Sequence, residues 1–83
     1  MIYRIFYTDK AVKDIGKLDN LTKKRIGKKI LEYTKNPFNY AIKLTDEKIG
    51  QYRFRIGEYR VVFDVDKNSI IVLKIKHRKD AYK

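Results

Sequence analysis

Residues 50–65, Gly50-Gln51-Tyr52-Arg53-Phe54-Arg55-Ile56-Gly57-Glu58-Tyr59-Arg60-Val61-Val62-Phe63-Asp64-Val65, constrain this chain more than any other stretch. Two alternating runs flank the pair Gly57-Glu58, which is a β-hairpin signal. Gly57 can take the positive φ that a type II′ turn requires of its first central residue. A two-residue loop then sets the register: Ile56 faces Tyr59, Arg55 faces Arg60, Phe54 faces Val61 and Tyr52 faces Phe63. Because side chains alternate along a strand, Tyr52, Phe54, Ile56, Tyr59, Val61, Phe63 and Val65 share one face. Arg53, Arg55 and Arg60 share the other.

Like charges opposed across a ladder repel, and no core needs guanidinium groups. A lone arginine on a sheet is ordinarily a solvated side chain lying over the strands. Several on one face of a short hairpin make a positive field that suits an anionic partner. Guanidinium is planar, permanently charged and shaped to fork onto phosphate. The hairpin therefore reads as a phosphate-binding platform.

The charge balance points the same way. The 83 residues carry 21 basic and 10 acidic side chains, a formal net charge of +11 spread along the whole chain. A small structured domain of this charge most often meets nucleic acid, with an anionic membrane surface second. The length suits one domain, residues 1–83, and leaves no room for a second core. No cysteine is present and only one histidine. That excludes a disulfide framework and a cysteine-based metal site, argues against zinc, and suits a cytoplasmic protein. The opening Met1-Ile2-Tyr3-Arg4-Ile5-Phe6-Tyr7 is too short and too charged for a signal peptide or a transmembrane span.

Ahead of the hairpin, residues 2–7 are β-branched and aromatic and predict a strand, with Tyr3, Ile5 and Tyr7 facing inward. Thr8 is a helix N-cap, followed by Asp9 in the first turn. Ala11, Ile15 and Leu18, with Val12 beside them, give an amphipathic helix that Gly16 weakens or ends. Asp19 or Asn20 opens a second helix reaching about Asn36, where Pro37 stops it. Its buried stripe is Ile26, Ile30 and Tyr33, with Leu21 and Leu31 in support. Lys23, Lys24, Arg25, Lys28, Lys29 and Lys35 cover the remainder as a solvated face. Residues 38–49 predict a loop anchored by Phe38, Tyr40, Ile42 and Leu44.

Behind the hairpin, Asp66-Lys67-Asn68-Ser69 is a turn. Residues 70–75 form a strand apolar on both sides, Ile70 and Val72 on one, Ile71, Leu73 and Ile75 on the other. Such a strand is usually covered twice, so helices, loops or a partner must meet each face. Residues 76–83 read as a basic tail. The order is βααβββ: an α+β fold with a helical hairpin on one face of a mainly antiparallel four-stranded sheet.

Two segments resemble the signature half of the RelE/ParE toxin superfamily. They are Gln51-Tyr52-Arg53-Phe54-Arg55-Ile56-Gly57-Glu58-Tyr59-Arg60-Val61-Val62-Phe63 and Ile71-Val72-Leu73-Lys74-Ile75-Lys76-His77-Arg78-Lys79-Asp80-Ala81-Tyr82. The Gly-x-Tyr-Arg hairpin and the closing His-Arg-x-x-x-Tyr are the most specific parts, and the RelE-like branch is the nearer match. The resemblance implies the toxin of a type II toxin–antitoxin pair. In the RelE branch that toxin is a metal-independent, cofactor-free endoribonuclease that cuts messenger RNA in the ribosomal A site, the ribose 2′-hydroxyl attacking the neighbouring phosphate. On this resemblance Arg60 stabilises the phosphate, Arg78 protonates or stabilises the leaving oxygen, and Tyr82 orients or deprotonates the nucleophile. Arg55 joins them in neutralising the transition state, while Arg53, His77 and Lys76 contact RNA. Arg53 and Arg55 stand where RelE enzymes often carry lysines. Arginine does not lose its proton, so neither can act as a general base; that work falls to His77, Tyr82 or ribosomal groups.

The implied partners are a RelB-like antitoxin, the ribosome and messenger RNA, with no membrane and no small-molecule cofactor. Two other functions fit the same residues: a ParE-like inhibitor of DNA gyrase, and a non-catalytic basic RNA-binding module. Arg60, Arg78 and Tyr82 occurring together favours the nuclease.

Overall fold

The computed structural model describes residues 2–46 and 48–79. Strand β1 (Arg4–Tyr7) leads into helices α1 (Asp9–Gly16) and α2 (Asn20–Tyr33), then a 3-10 turn at Pro37–Asn39. Strands β2 (Ile42–Lys43), β3 (Tyr52–Ile56), β4 (Tyr59–Asp66) and β5 (Ser69–His77) follow. The sheet has five strands in the order β1-β5-β4-β3-β2. β1 runs parallel to β5 and every other pairing is antiparallel. The expected α+β class and the helix pair hold. The sheet gains a strand because Ile42 and Lys43, inside the expected loop, pair with Arg53 and Tyr52.

Both helices begin where their caps predict. The Thr8 hydroxyl accepts from the Ala11 N–H at 3.1 Å, and an Asp19 carboxylate oxygen accepts from the Thr22 N–H at 3.2 Å. Each satisfies one of the N–H groups that a first helical turn leaves without a partner. The helices cover the apolar face of the hairpin. Ala11, Ile30, Phe54, Val61, Phe63, Ile70 and Val72 are wholly buried there. The Phe54 and Phe63 rings stack with centroids 4.2 Å apart, and Tyr33 meets Phe54 edge to face at 5.4 Å. Offset and edge-on pairs of this kind add about 0.5–1.5 kcal/mol each beyond their buried area. Val12, Leu21 and Leu31 depart from expectation: all three lie exposed, at 56%, 68% and 64%. The stripe Ile26, Ile30 and Tyr33 of α2 reaches the core as expected.

β5 departs from simple alternation. Val62 pairs with Lys74 but Phe63 pairs with Val72, so Leu73 is an extra residue in the ladder, a β-bulge. One inserted residue reverses the faces beyond it. Ile75, expected beside Ile71 and Leu73, instead joins Ile70 and Val72 in the core at 4% exposure. The same reversal puts Lys74 and Lys76 on the face of Arg60.

α1 completes the edge of β5 where β1 ends. The Thr8 hydroxyl donates to the Leu73 carbonyl at 2.8 Å. The Ile75 N–H donates to Asp14 Oδ2 at 3.0 Å. Asp14 is buried and its other oxygen accepts from Lys10 Nζ at 2.5 Å. Burial pushes the Asp14 carboxyl up. The Lys10 ammonium, the Ile75 N–H and the charge of Lys76 outweigh that and hold it below the usual carboxylate range.

Gly50 closes the far half of the outer face. Its φ is 155°, and a Cβ there would lie 2.5 Å from Val62 Cγ1 and 3.1 Å from Leu73 Cδ1. Only a bare backbone can lie that close to the sheet. Gln51 locks the approach: its N–H donates to Asp64 Oδ1 at 2.9 Å, and its side-chain oxygen accepts from the Val65 N–H at 2.8 Å. The second face of β5, expected to need loops or a partner, is thus partly covered by the segment before β3.

Candidate functional site

The hairpin register is the one the turn length predicts, from Ile56 opposite Tyr59 to Tyr52 opposite Phe63. Gly57 sits at φ 58°, as the first central position of a type II′ turn requires. Arg55, Arg60 and Lys76 therefore form one cross-strand row on β3, β4 and β5. The next row is Arg53, Val62 and Lys74. Neighbours in such a row have Cβ atoms about 5 Å apart, close enough for one phosphate to meet several cations.

Arg60 is the centre of the first row. It is 5% exposed, although it lies on the face away from the helices. Its Nη1 donates to the Tyr59 carbonyl at 3.5 Å, its Nε has no partner, and it forms no ion pair among the described residues. A buried cation with no carboxylate paired to it, as here among the described residues, is costly to fold. Arg55 is exposed, and Arg53 and Lys76 are half-buried.

Arg78 follows β5 at the hairpin tip. Its backbone N–H donates to the Glu58 carbonyl at 2.6 Å. Its Nε lies 2.7 Å from Glu58 Oε2 as an ion pair, with both side chains about half exposed. Glu58 thus ties the hairpin turn to the end of the last strand. Composition gave no reason to single out Glu58 beyond its place in the turn. The bulge at Leu73 hid the position of Lys74.

One expected site residue stands apart. His77 pairs with Tyr59, on the helix side of the sheet, and the rings meet edge to face at 5.2 Å. Its Nδ1 accepts from the Lys79 N–H at 3.2 Å. It is not brought to the arginine face. Lys76 belongs to the row by register, yet it also lines a cleft with Asp14, Lys17, Leu18, Tyr59 and His77 around the β5 edge. Tyr82 lies outside the described residues. No group of three or more histidine, cysteine or carboxylate side chains suited to a metal ion occurs among the described residues.

Chemically, the row can bind and neutralise a phosphodiester. Arginines supply hydrogen bonds to non-bridging oxygens and charge for a dianionic transition state, but no proton acceptor.

The chain and its fold are similar to known proteins. The family model for the ParE toxin of type II toxin–antitoxin systems matches residues 5–82. Toxin RelE3 of Methanocaldococcus jannaschii is 32% identical over 84 residues, spanning 95% of this chain and 94% of that protein. A chain of the archaeal RelE–RelB complex from Pyrococcus horikoshii superposes with a TM-score of 0.70 at 33% identity, covering 98% of this chain and 100% of that one. A chain of the RelBE2 toxin–antitoxin complex from Mycobacterium tuberculosis gives 0.84 over 94% of this chain and 100% of that one. At 22% identity that last likeness concerns the fold alone. On the family match across residues 5–82 and the 32% identity to a RelE toxin, the chain belongs to the RelE/ParE superfamily of type II toxin–antitoxin toxins.

Proposed function

We propose that this toxin is a ribosome-dependent endoribonuclease that cuts messenger RNA in the A site. The observation that carries the reading is Arg60, buried between Arg55 and Lys76 in the cross-strand row with no counter-ion among the described residues. A fold that tolerates such a cost at one point usually gains from it in binding. An RNA phosphate supplies the missing negative charge.

In this mechanism the 2′-oxygen bonds to the adjacent phosphorus and the bond from phosphorus to the 5′-oxygen breaks. The products are a 2′,3′-cyclic phosphate and a free 5′-hydroxyl. Arg60 and Arg55 neutralise the phosphorane-like transition state, with Arg53 and Lys76 holding the flanking backbone. Arg78, at the tip, stabilises the departing 5′-oxygen, which takes its proton from water. The proton from the 2′-hydroxyl goes to Tyr82 or to a group of the ribosome, since no arginine can accept it. His77, across the sheet from Arg60, has a packing role against Tyr59.

The partner is a RelB-like antitoxin, as in the RelB–RelE complexes that this chain resembles. Phe6, 51% exposed, lies opposite the half-buried Ile71. An amphipathic antitoxin segment could cover this apolar surface and set acidic side chains against the arginines. Among the described residues no helix is long and apolar enough to cross a membrane.

Induced expression with and without the neighbouring open reading frame tests the reading, with primer extension on messenger RNA. Expected are growth arrest relieved by the neighbour and new cuts within A-site codons. The ParE description of the matching family model supports a second reading, inhibition of DNA gyrase. Gyrase poisoning with intact messenger RNA would establish that reading and remove the first.

A further inference from the structure

We infer that Glu58 is a positioning residue for Arg78 in RNA cleavage; this rests on the nuclease reading above. Beyond His77 the ladder has ended, and a long side chain there would ordinarily sample many rotamers. Glu58 removes that freedom twice. Its carbonyl accepts from the Arg78 N–H at 2.6 Å, fixing the backbone. Its carboxylate forms an ion pair with Arg78, Nε lying 2.7 Å from Oε2, and so draws the start of the guanidinium toward the hairpin. With Nε engaged, both terminal nitrogens remain to fork onto an oxygen or a phosphate. Glu58 is itself held by the Gly57 turn, where the chain takes φ 58°. The acceptor is therefore carried by the hairpin that also carries Arg55 and Arg60. One rigid element sets Arg78 relative to the phosphate row.

The chemistry gives a reason for the carboxylate being there at all. On a face meant for RNA, a negative charge lowers affinity. For stability alone it is of little use, because ion pairs between half-exposed side chains contribute little. Orientation of a group that acts only in the transition state is the benefit that remains.

The test is a double-mutant cycle on programmed ribosomes with Glu58→Ala, Glu58→Gln, Arg78→Ala and Glu58→Ala/Arg78→Ala. Single-turnover cleavage rates and the half-saturating toxin concentration are measured for each. Glu58→Ala should slow cleavage at saturation on the order of tenfold or more, the scale of a mispositioned group, without weakening half-saturation. Glu58→Gln, which keeps the length of the side chain but not its charge, should recover only part of the rate. The double variant should be no slower than Arg78→Ala. Additive losses, or faster cleavage and tighter binding in Glu58→Ala, would overturn the assignment; the latter would mean that the carboxylate masks Arg78. Full activity in Glu58→Ala beside an active wild type would refute Glu58 alone. An inactive wild type would instead remove the nuclease reading, and this inference with it.

Discussion

The buried carboxylate of Asp14 accepts a hydrogen bond from the backbone N–H of Ile75, 61 residues further along the chain, at 3.0 Å. This bond replaces the strand that β5 lacks once β1 has ended at Tyr7. Removing it would leave a buried N–H without a partner. Asp14→Ala should lower unfolding free energy by about 2–3 kcal/mol, the usual cost of losing a charge-assisted hydrogen bond. Asp14→Asn keeps an acceptor but loses the attraction of Lys10, and should cost less, about 1 kcal/mol. Urea denaturation of the three proteins checks both values, and equal stability of Asp14→Ala and wild type would refute this role.

The same carboxyl makes stability depend on acid. Its folded pKa lies below the ordinary value of 3.8, so its contribution is fully present above about pH 4. It is lost as the pH falls through the folded value, because the native state must then take up a proton it binds weakly. Thermal unfolding between pH 6 and pH 2.5 should show the melting temperature falling toward the acid end. Asp14→Asn should fall less steeply over that range.

Gly50 lies with its backbone against Val62 and Leu73. Val62 is β-branched and buried, so its Cγ1, 2.5 Å from the would-be Cβ, cannot swing aside. Gly50→Ala should destabilise by about 1–3 kcal/mol through overpacking and the strained φ of 155°. Gly16→Ala, in α1 with open space around its Cβ position, should leave stability unchanged or raise it by up to about 1 kcal/mol. A calorimetric scan of both variants separates the two cases.

Arg60→Ala should abolish growth arrest while leaving the fold intact. The side chain is buried on the outer face, outside the aromatic core, and its charge has no ion-pair partner among the described residues. Stability should change by less than about 1 kcal/mol, because lost stem packing and relieved repulsion oppose each other. Induction assays paired with circular dichroism check this. A fully toxic Arg60→Ala would show that the phosphate platform is misassigned.

Much of this molecule is determined by sequence alone. A two-residue Gly-Glu loop fixes hairpin register, and strand alternation then sorts aromatic from arginine without reference to the rest of the chain. Thr8 and Asp19 set helix starts by bonds within their own first turns. What the sequence leaves open is decided by partners distant in the chain. The bulge at Leu73 depends on pairing with β4 and on Thr8 and Asp14 waiting at the strand edge. That one extra residue sends Ile75 inward and Lys74 and Lys76 outward, against simple alternation. Leu21 and Leu31 look like core and are not, because α2 meets the sheet along Ile26, Ile30 and Tyr33 and turns the two leucines outward. The burial of Arg60 and the tie between Glu58 and Arg78 arise where separate strands converge. Local rules act over a few residues; they cannot say which distant backbone group will need a partner, and only the assembled sheet answers that.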